Sequence, residues 1–293
     1  MLKDILYSSS SPIIMDGAIG SYLQSLKESH SDKTECDSFF ISLLHQNYIE
    51  AGAEIIKTNT FNLGNIVLDH GSTVEDLKAQ IIENIQTASI ARADRPDVLL
   101  LGVVGPLFYG NKDRRISTYI DIVNTFTEKG IQDLYFETIT SNTVLREILE
   151  ALHKIRKTTS LSLNLSFTTK EDTPMKLISG DSLEETVDLI KDIPQITTVG
   201  LNCISTERLD IILQNMTFLK ENIKKPLSFS PSLGVPNSEG LYPISIKQTI
   251  YNLKKLSSEI DLKIIGGCCG TQPLFTKQLK DIHLLNKNSN LHL

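Results

Sequence analysis

Apolar residues recur along the chain in two alternating rhythms. Short, nearly continuous runs read as buried strands: Ile13–Met15, Glu54–Thr58, Val98–Val104, Leu134–Phe136, Leu161–Phe167, Thr198–Leu201, Pro226–Phe229 and Ile264–Ile265. Between them, apolar positions three and four apart mark amphipathic helices. Phe40, Leu43, Leu44 and Tyr48 share one face over Ser38–Ala51, and Val74, Leu77, Ile81, Ile85 and Ala88 share another over Val74–Ala93. Val144, Ile148, Leu152 and Ile155 form a third stripe, and Leu209, Ile212, Leu213 and Met216 a fourth within Thr206–Lys220. Helices are also expected over Ser117–Lys129 and Ser245–Ser257. Ser182–Glu185 reads as a capping box opening a helix to Lys191, and Pro273 suits the first turn of a final helix. Breaks in regularity fall at Lys27–Cys36, Phe108–Arg115 and Ser230–Tyr242.

Eight strands, each followed by a helix, predict a single (β/α)₈ barrel domain over residues 1–293. An open doubly wound sheet would favour a Gly-x-Gly-x-x-Gly turn after the first strand, and none is present. A barrel gathers the C-terminal ends of its strands on one face, where catalytic residues belong. Asp16, Thr58, Gly105, Glu137, Asn202, Cys203, Cys268 and Cys269 all stand at such ends.

Composition narrows the classes of partner. The net charge is −6, and no basic cluster is long enough to follow a phosphate backbone, so no nucleic-acid partner is expected. No apolar run approaches the ~20 residues needed to span a bilayer, so no membrane partner is expected. Met1-Leu2-Lys3-Asp4 does not open a secretory signal. Four cysteines, two of them adjacent, do not make a disulfide framework, and a reducing cytoplasm is the expected setting.

The chemistry concentrates in Gly266-Gly267-Cys268-Cys269-Gly270-Thr271. Adjacent cysteines do not easily bond to each other, but both can face one metal ion. With Cys203, at the end of another strand, they make a soft three-legged site suited to Zn²⁺ with one position open. Cys36 stands alone and reads as a small buried hydrophobe. A thiol coordinated at such a metal loses its proton and attacks soft electrophiles such as an activated methyl group. Asp16 and Glu137 suit an ammonium group, and the backbone N–H groups of Gly17 and Ala18 suit a carboxylate. An amino acid bearing a thiol meets all of these. Each residue also has a plainer reading: Asp-Gly after a strand is ordinarily a turn, and Glu137 can be an ion-pair partner at a barrel mouth.

These residues carry a resemblance. Met15-Asp16-Gly17-Ala18-Ile19-Gly20, Ala51–Ile56 running into Thr58-Asn59-Thr60-Phe61-Asn62, Gly105-Pro106, Phe136-Glu137-Thr138, Gly200-Leu201-Asn202-Cys203 and the Cys-Cys segment together resemble the homocysteine S-methyltransferase family. Their wording is most similar to the homocysteine-binding module of cobalamin-dependent methionine synthase, supported by Leu177-Ile178-Ser179-Gly180 and Gly234-Val235-Pro236-Asn237. The resemblance implies a (β/α)₈ barrel, one Zn²⁺ on Cys203, Cys268 and Cys269, and homocysteine contacts by Asp16 and Glu137 with backbone help after Asp16. It leaves no room here for the folate, cobalamin and reactivation modules. One departure is Ser232, where that branch carries an asparagine near the zinc.

The expected activity is methyl transfer to homocysteine, forming methionine. The donor is open between a small onium compound such as S-methylmethionine and a methyl-corrinoid or folate carried on another chain. The alternatives are a non-catalytic thiol- and zinc-binding subunit of a methyl-transfer assembly, and a redox protein using Cys268 and Cys269. The last is weakened by the absence of Cys-x-x-Cys spacing.

Overall fold

A computed structural model describes residues 2–7, 11–30, 36–155 and 160–289, with side chains through Ile282 in the last helix. Eight strands form one parallel sheet: β1 (Ile13–Ile14), β2 (Ile55–Lys57), β3 (Leu99–Val104), β4 (Asp133–Ile139), β5 (Ser162–Phe167), β6 (Ile196–Ser205), β7 (Leu227–Ser232) and β8 (Leu262–Ile265). Strand order follows the chain around, and β1 pairs with β8 through Ile13↔Ile264 and Ile14↔Ile265. A parallel bridge, Met15↔Ile55, joins the first strand to the second. Beside it Asp16 N–H donates to Ile55 O at 2.9 Å and Glu54 N–H to Ile14 O at 2.7 Å. The sheet is a (β/α)₈ barrel.

The helices are α1 (Leu2–Leu6), α2 (Gly20–Ser29), α3 (Asp37–Glu50), α4 (Leu63–His70), α5 (Val74–Ala91), α6 (Lys112–Glu128), α7 (Asn142–Lys154), α8 (Leu183–Ile190), α9 (Leu209–Asn222), α10 (Ile246–Glu259) and α11 (Pro273–Ser289). Every expected helix is found, and α11 opens on Pro273 as expected. Sequence patterning missed α1, α2 and α4, which are short. Phe108–Arg115 is less irregular than expected, because Asn111 caps Arg114 N–H and α6 begins at Lys112. Of the break at Lys27–Cys36, positions 31–35 lie outside the described residues. The polar tail from Asn286 continues α11 to Ser289, and its last residue, 290, is also outside. Ser182 is the N-cap of α8, but its side chain makes no capping hydrogen bond, so the expected box is absent. A real capping box opens α5, where Thr73 and Asp76 satisfy each other's backbone.

Alternation along the strands sorts the core into an outer and an inner layer. The largest cluster packs strand residues such as Val104, Leu134, Phe136 and Ile265 against the helices. Ile13, Met15, Ile55, Leu101, Val103, Tyr135 and Ile264 meet inside the barrel. Leu2 and Leu6 of α1 close that cluster from below, with Leu2 N–H held by both carboxylate oxygens of Asp133 at 3.3 and 3.2 Å. On the β5–β6 side the interior is polar: Thr198 Oγ1 donates to Asn164 Oδ1 at 2.8 Å, and Ser166 Oγ to Asn202 Oδ1 at 2.8 Å.

Candidate active site

Two strands are irregular where the chemistry sits. The β4–β5 register slips between Phe136 and Ile139, and the β6–β7 register slips between Asn202 and Ser205. Such bulges re-aim side chains next to active sites. Within them Thr138 and Cys203 adopt left-handed backbone, with φ of 61° and 58°. Both lack the glycine that tolerates this conformation, so their surroundings must hold them there. Asn202 does much of that holding. It is fully buried, its Oδ1 accepts Thr138 N–H at 3.2 Å, and its Nδ2 donates to Thr138 Oγ1 at 2.7 Å. The same Nδ2 lies 3.9 Å from Cys268 Sγ.

The three sequence-predicted thiols converge. One sulfur from each of Cys203, Cys268 and Cys269 lies within 4.8 Å of the others, and the Cys203 and Cys269 sulfurs are 3.6 Å apart. Hydrogen bonds with Cys203 and Cys268 push the Cys269 thiol far down, to about 3, whereas hydrogen bonds with Cys268 and Cys269, together with burial, push Cys203 up. Thr271 fixes the Cys268–Cys269 turn: its Oγ1 donates to Cys268 O at 2.7 Å and accepts Ala18 N–H at 3.2 Å. A Cβ on Gly267 or Gly17 would lie 2.2 or 2.6 Å from that Oγ1, so both positions need glycine to let Thr271 in. Thr271 is in the sequence motif, but nothing in its residue type announces this joining role.

Cys36 is apart from the cluster. It is exposed at the N-cap of α3 and rests 3.1 Å from Ser38 Oγ, which corrects the expectation of a buried hydrophobe. A position before the first helical turn leaves it outside the packed face of α3.

The predicted carboxylates also meet, with a partner that sequence reading missed. Lys57 ends β2, and its side chain is only 3% exposed. Its Nζ donates to Glu137 Oε1 at 3.0 Å and lies 3.7 Å from Asp16 Oδ1 and 6.0 Å from the Tyr135 ring centroid. Asp16 is fully enclosed; its Oδ2 accepts Lys57 N–H at 2.9 Å and its Oδ1 has no hydrogen-bond partner. Burial pushes Asp16 up to about 7 despite the Lys57 charge, and burial raises Glu137 against the same pull. Burial disfavours the Lys57 ammonium, yet Glu137 and Asp16 together hold it above its usual value. A lysine within an apolar strand run was the available signal, because a buried ammonium needs partners.

Two cavities meet at the sulfurs. A cavity of about 360 Å³ is lined by Ala18, Lys57, Glu137, Cys203, Cys268 and Cys269, together with Gly20 and Ser21 at the start of α2. A wider one of about 950 Å³ shares Cys203 and Cys269 and runs over Glu171, Ser232 and Tyr242. Asp16 lies behind the smaller cavity and does not line it. The Ala18 amide faces Thr271, at 3.2 Å from Oγ1 and 3.3 Å from the carbonyl.

The fold and site together define a (β/α)₈ barrel with a three-thiol centre beside a buried ion-pair network. Residues 13–283 match the family model for homocysteine S-methyltransferase, and the chain belongs to that family. It is 24% identical over 95% of its length to methionine synthase of Mycobacterium tuberculosis and 22% identical over 89% to that of Mycobacterium leprae. It spans about a quarter of those proteins, 25% and 23% respectively. Its fold matches the homocysteine methyltransferase MmuM of Escherichia coli. The apo form superposes with TM-score 0.74 at 23% identity, covering 94% of this chain and 97% of that one. The metallated form gives 0.74 at 21%, covering 95% and 98%. No helix among the described residues is long and apolar enough to cross a membrane.

Proposed function

We propose that residues 1–293 form one homocysteine-binding domain that transfers a methyl group to the homocysteine thiol, producing methionine. The observation that carries this reading is the shared cavity: three converging sulfurs at one end and the Glu137 carboxylate in the same wall. Membership of the homocysteine S-methyltransferase family supports it.

The donor set suits zinc. Three sulfurs on two strand ends, close enough to share one ion, leave a fourth position facing the cavity. When bound, Zn²⁺ would hold the substrate sulfur as a thiolate at neutral pH. Cys203, Cys268 and Cys269 are the proposed ligands. Asn202 and Thr271 keep them in place through Cys268 and the turn that carries it. Glu137 would accept the substrate ammonium, with Asp16 supplying negative charge from behind Lys57. The substrate carboxylate would meet the Gly17 amide after Asp16; the Ala18 amide, expected to share this role, is instead taken up by Thr271. The start of α2 adds Gly20 and Ser21, whose amides have no partner within the helix. The substrate sulfur forms a bond to the methyl carbon as the donor–methyl bond breaks, and that electron pair leaves with the donor.

The wider cavity would admit the donor, since it reaches the sulfurs from the side away from Glu137. A small onium compound such as S-methylmethionine, and a methyl-corrinoid or folate on another chain, are the two donor classes. Four free cysteines suit a reducing, cytoplasmic setting.

The test has three parts: bound zinc, proton release on titration with homocysteine, and methionine formation with S-methylmethionine, betaine and methylcobalamin assayed side by side. The expected result is about one zinc per chain and product from at least one donor. Zinc and homocysteine binding without product from any donor would favour the non-catalytic subunit. Little zinc with reversible Cys268–Cys269 oxidation would overturn the reading in favour of redox chemistry.

A further inference from the structure

Lys57 has no part in the chemistry described so far, yet it occupies the floor of the substrate cavity. Its ammonium is nearly sealed from solvent and shared between two carboxylates, at 3.0 Å from Glu137 and 3.7 Å from Asp16. Counted as ions, the three side chains leave one negative charge. Inside a barrel a residual charge is costly unless something of opposite sign arrives. The geometry shows where that would happen. Lys57 occupies Oε1 of Glu137, Asp16 Oδ1 has no hydrogen-bond partner, and Glu137 faces the cavity.

Without Lys57, Glu137 would face the cavity with the enclosed Asp16 carboxyl behind it and no cation between them. That floor would draw in cations of any kind and repel any ligand bearing a carboxylate. With Lys57, the floor accepts one ammonium and tolerates a carboxylate a few ångströms away.

We propose that Lys57 is a specificity-determining residue that sets the cavity for zwitterionic thiols, by cancelling one of the two buried carboxylates while leaving the other free for a single ammonium. This rests on the proposed homocysteine site and deepens it. Lys57 acts through charge and through the orientation of Glu137, and it takes no part in bond making.

The test compares three thiols on zinc-loaded protein by calorimetry: homocysteine, 3-mercaptopropylamine, which lacks the carboxylate, and 4-mercaptobutyrate, which lacks the amino group. In Lys57→Met the anionic thiol should weaken and the cationic thiol tighten, each by about 10- to 100-fold, from one unit charge a few ångströms away in a partly screened site. The double variant Lys57→Met/Glu137→Gln presents no uncompensated charge to the cavity, since Asp16 does not line it, so it should recover most of the affinity for 4-mercaptobutyrate. That recovery also keeps the test open if Lys57→Met alone folds poorly, because the double variant removes the unbalanced charge. If Lys57→Met weakens only the two amino-bearing thiols, Lys57 merely props Glu137 and the inference fails. It fails as well if all three thiols shift together, or if the double variant binds the anionic thiol no better than Lys57→Met. Should the wild type bind none of the three thiols, the homocysteine site itself is wrong, an outcome distinct from those above.

Discussion

The two ends of the barrel interior are built from the same strands and from opposite chemistry. At the lower end Ile13, Ile55, Leu101, Tyr135 and Ile264 close on Leu2 and Leu6 of α1. Two residues further along β2 and β4, the inward positions are Lys57 and Glu137. The lower end gains stability by excluding water from apolar surface. The upper end holds buried charges, two bulges and two left-handed non-glycine residues, all of which cost stability. A barrel can carry such a site because the apolar half of the same strands offsets it, and the two halves should therefore fail separately.

The sharpest break is at the thiols. Cys203→Ala, Cys268→Ala and Cys269→Ala should each abolish methyl transfer and lose most of the zinc, while far-UV circular dichroism stays that of a folded barrel. A variant that does not fold would show the cluster to be structural. The converse break is Leu6→Ala. Leu6 is 1% exposed, and its truncation should cost about 2–5 kcal/mol in denaturant unfolding. Zinc content below the melting range should not change, and loss of zinc from the folded variant would show that the two ends are coupled.

Glu137→Gln comes next. A charge-assisted hydrogen bond contributes roughly 1.5–3 kcal/mol, so homocysteine affinity should fall about 10- to 150-fold with zinc retained. Preference over the thiol lacking the amino group should narrow, and equal losses for both thiols would assign Glu137 to support of the sulfur cluster.

Asp16→Asn tests the stability cost of the buried charge. The folded-state pKa of Asp16 is raised from 3.8 to about 7, so the folded protein holds that proton more tightly than the unfolded chain does. The contribution is present in full below pH 3.8 and is lost as pH rises through about 7. The melting temperature of Asp16→Asn minus that of wild type should therefore grow from pH 4 to pH 8, and a constant difference would refute the assignment. The smallest effect belongs to Cys36→Ser. The Cys36 side chain is exposed and remote from the cluster, and the change should leave zinc and turnover within error.

The lower end and the outer layer were the legible parts of the sequence, because strand runs and helix stripes encode burial directly. The thiols were legible for a different reason: a cysteine pair between glycines has few structural uses. Lys57 left only one mark, a lysine within an apolar strand run, which reads equally as a solvated strand end until its carboxylate partners are brought in from the turn after β1 and from β4. The bulges at Thr138 and Cys203 were hidden too, because neither residue type signals left-handed backbone. Asn202 could be placed at a strand end, but its hydrogen bonds to Thr138 and Ser166 depend on neighbouring strands. Helices α1, α2 and α4 escaped because five to ten residues give too few turns for a periodic signal.

The division of the thiols between one turn and one distant strand gives the cluster a place in time. Cys268 and Cys269 are neighbours from the moment the chain is made, whereas Cys203 is 66 residues from Cys269 and joins only when β6, β7 and β8 are in register. An unfolded chain can offer a soft metal two sulfurs at most from one place, and the third arrives with long-range strand pairing, the slow part of barrel formation. Cobalt substituted for zinc during refolding should show two-thiolate absorption early and a further thiolate–metal band only as the last strands pair. The ion would then act as a kinetic reporter on the pairing of β6, β7 and β8, and its late capture would distinguish a chain with these strands in register from one without.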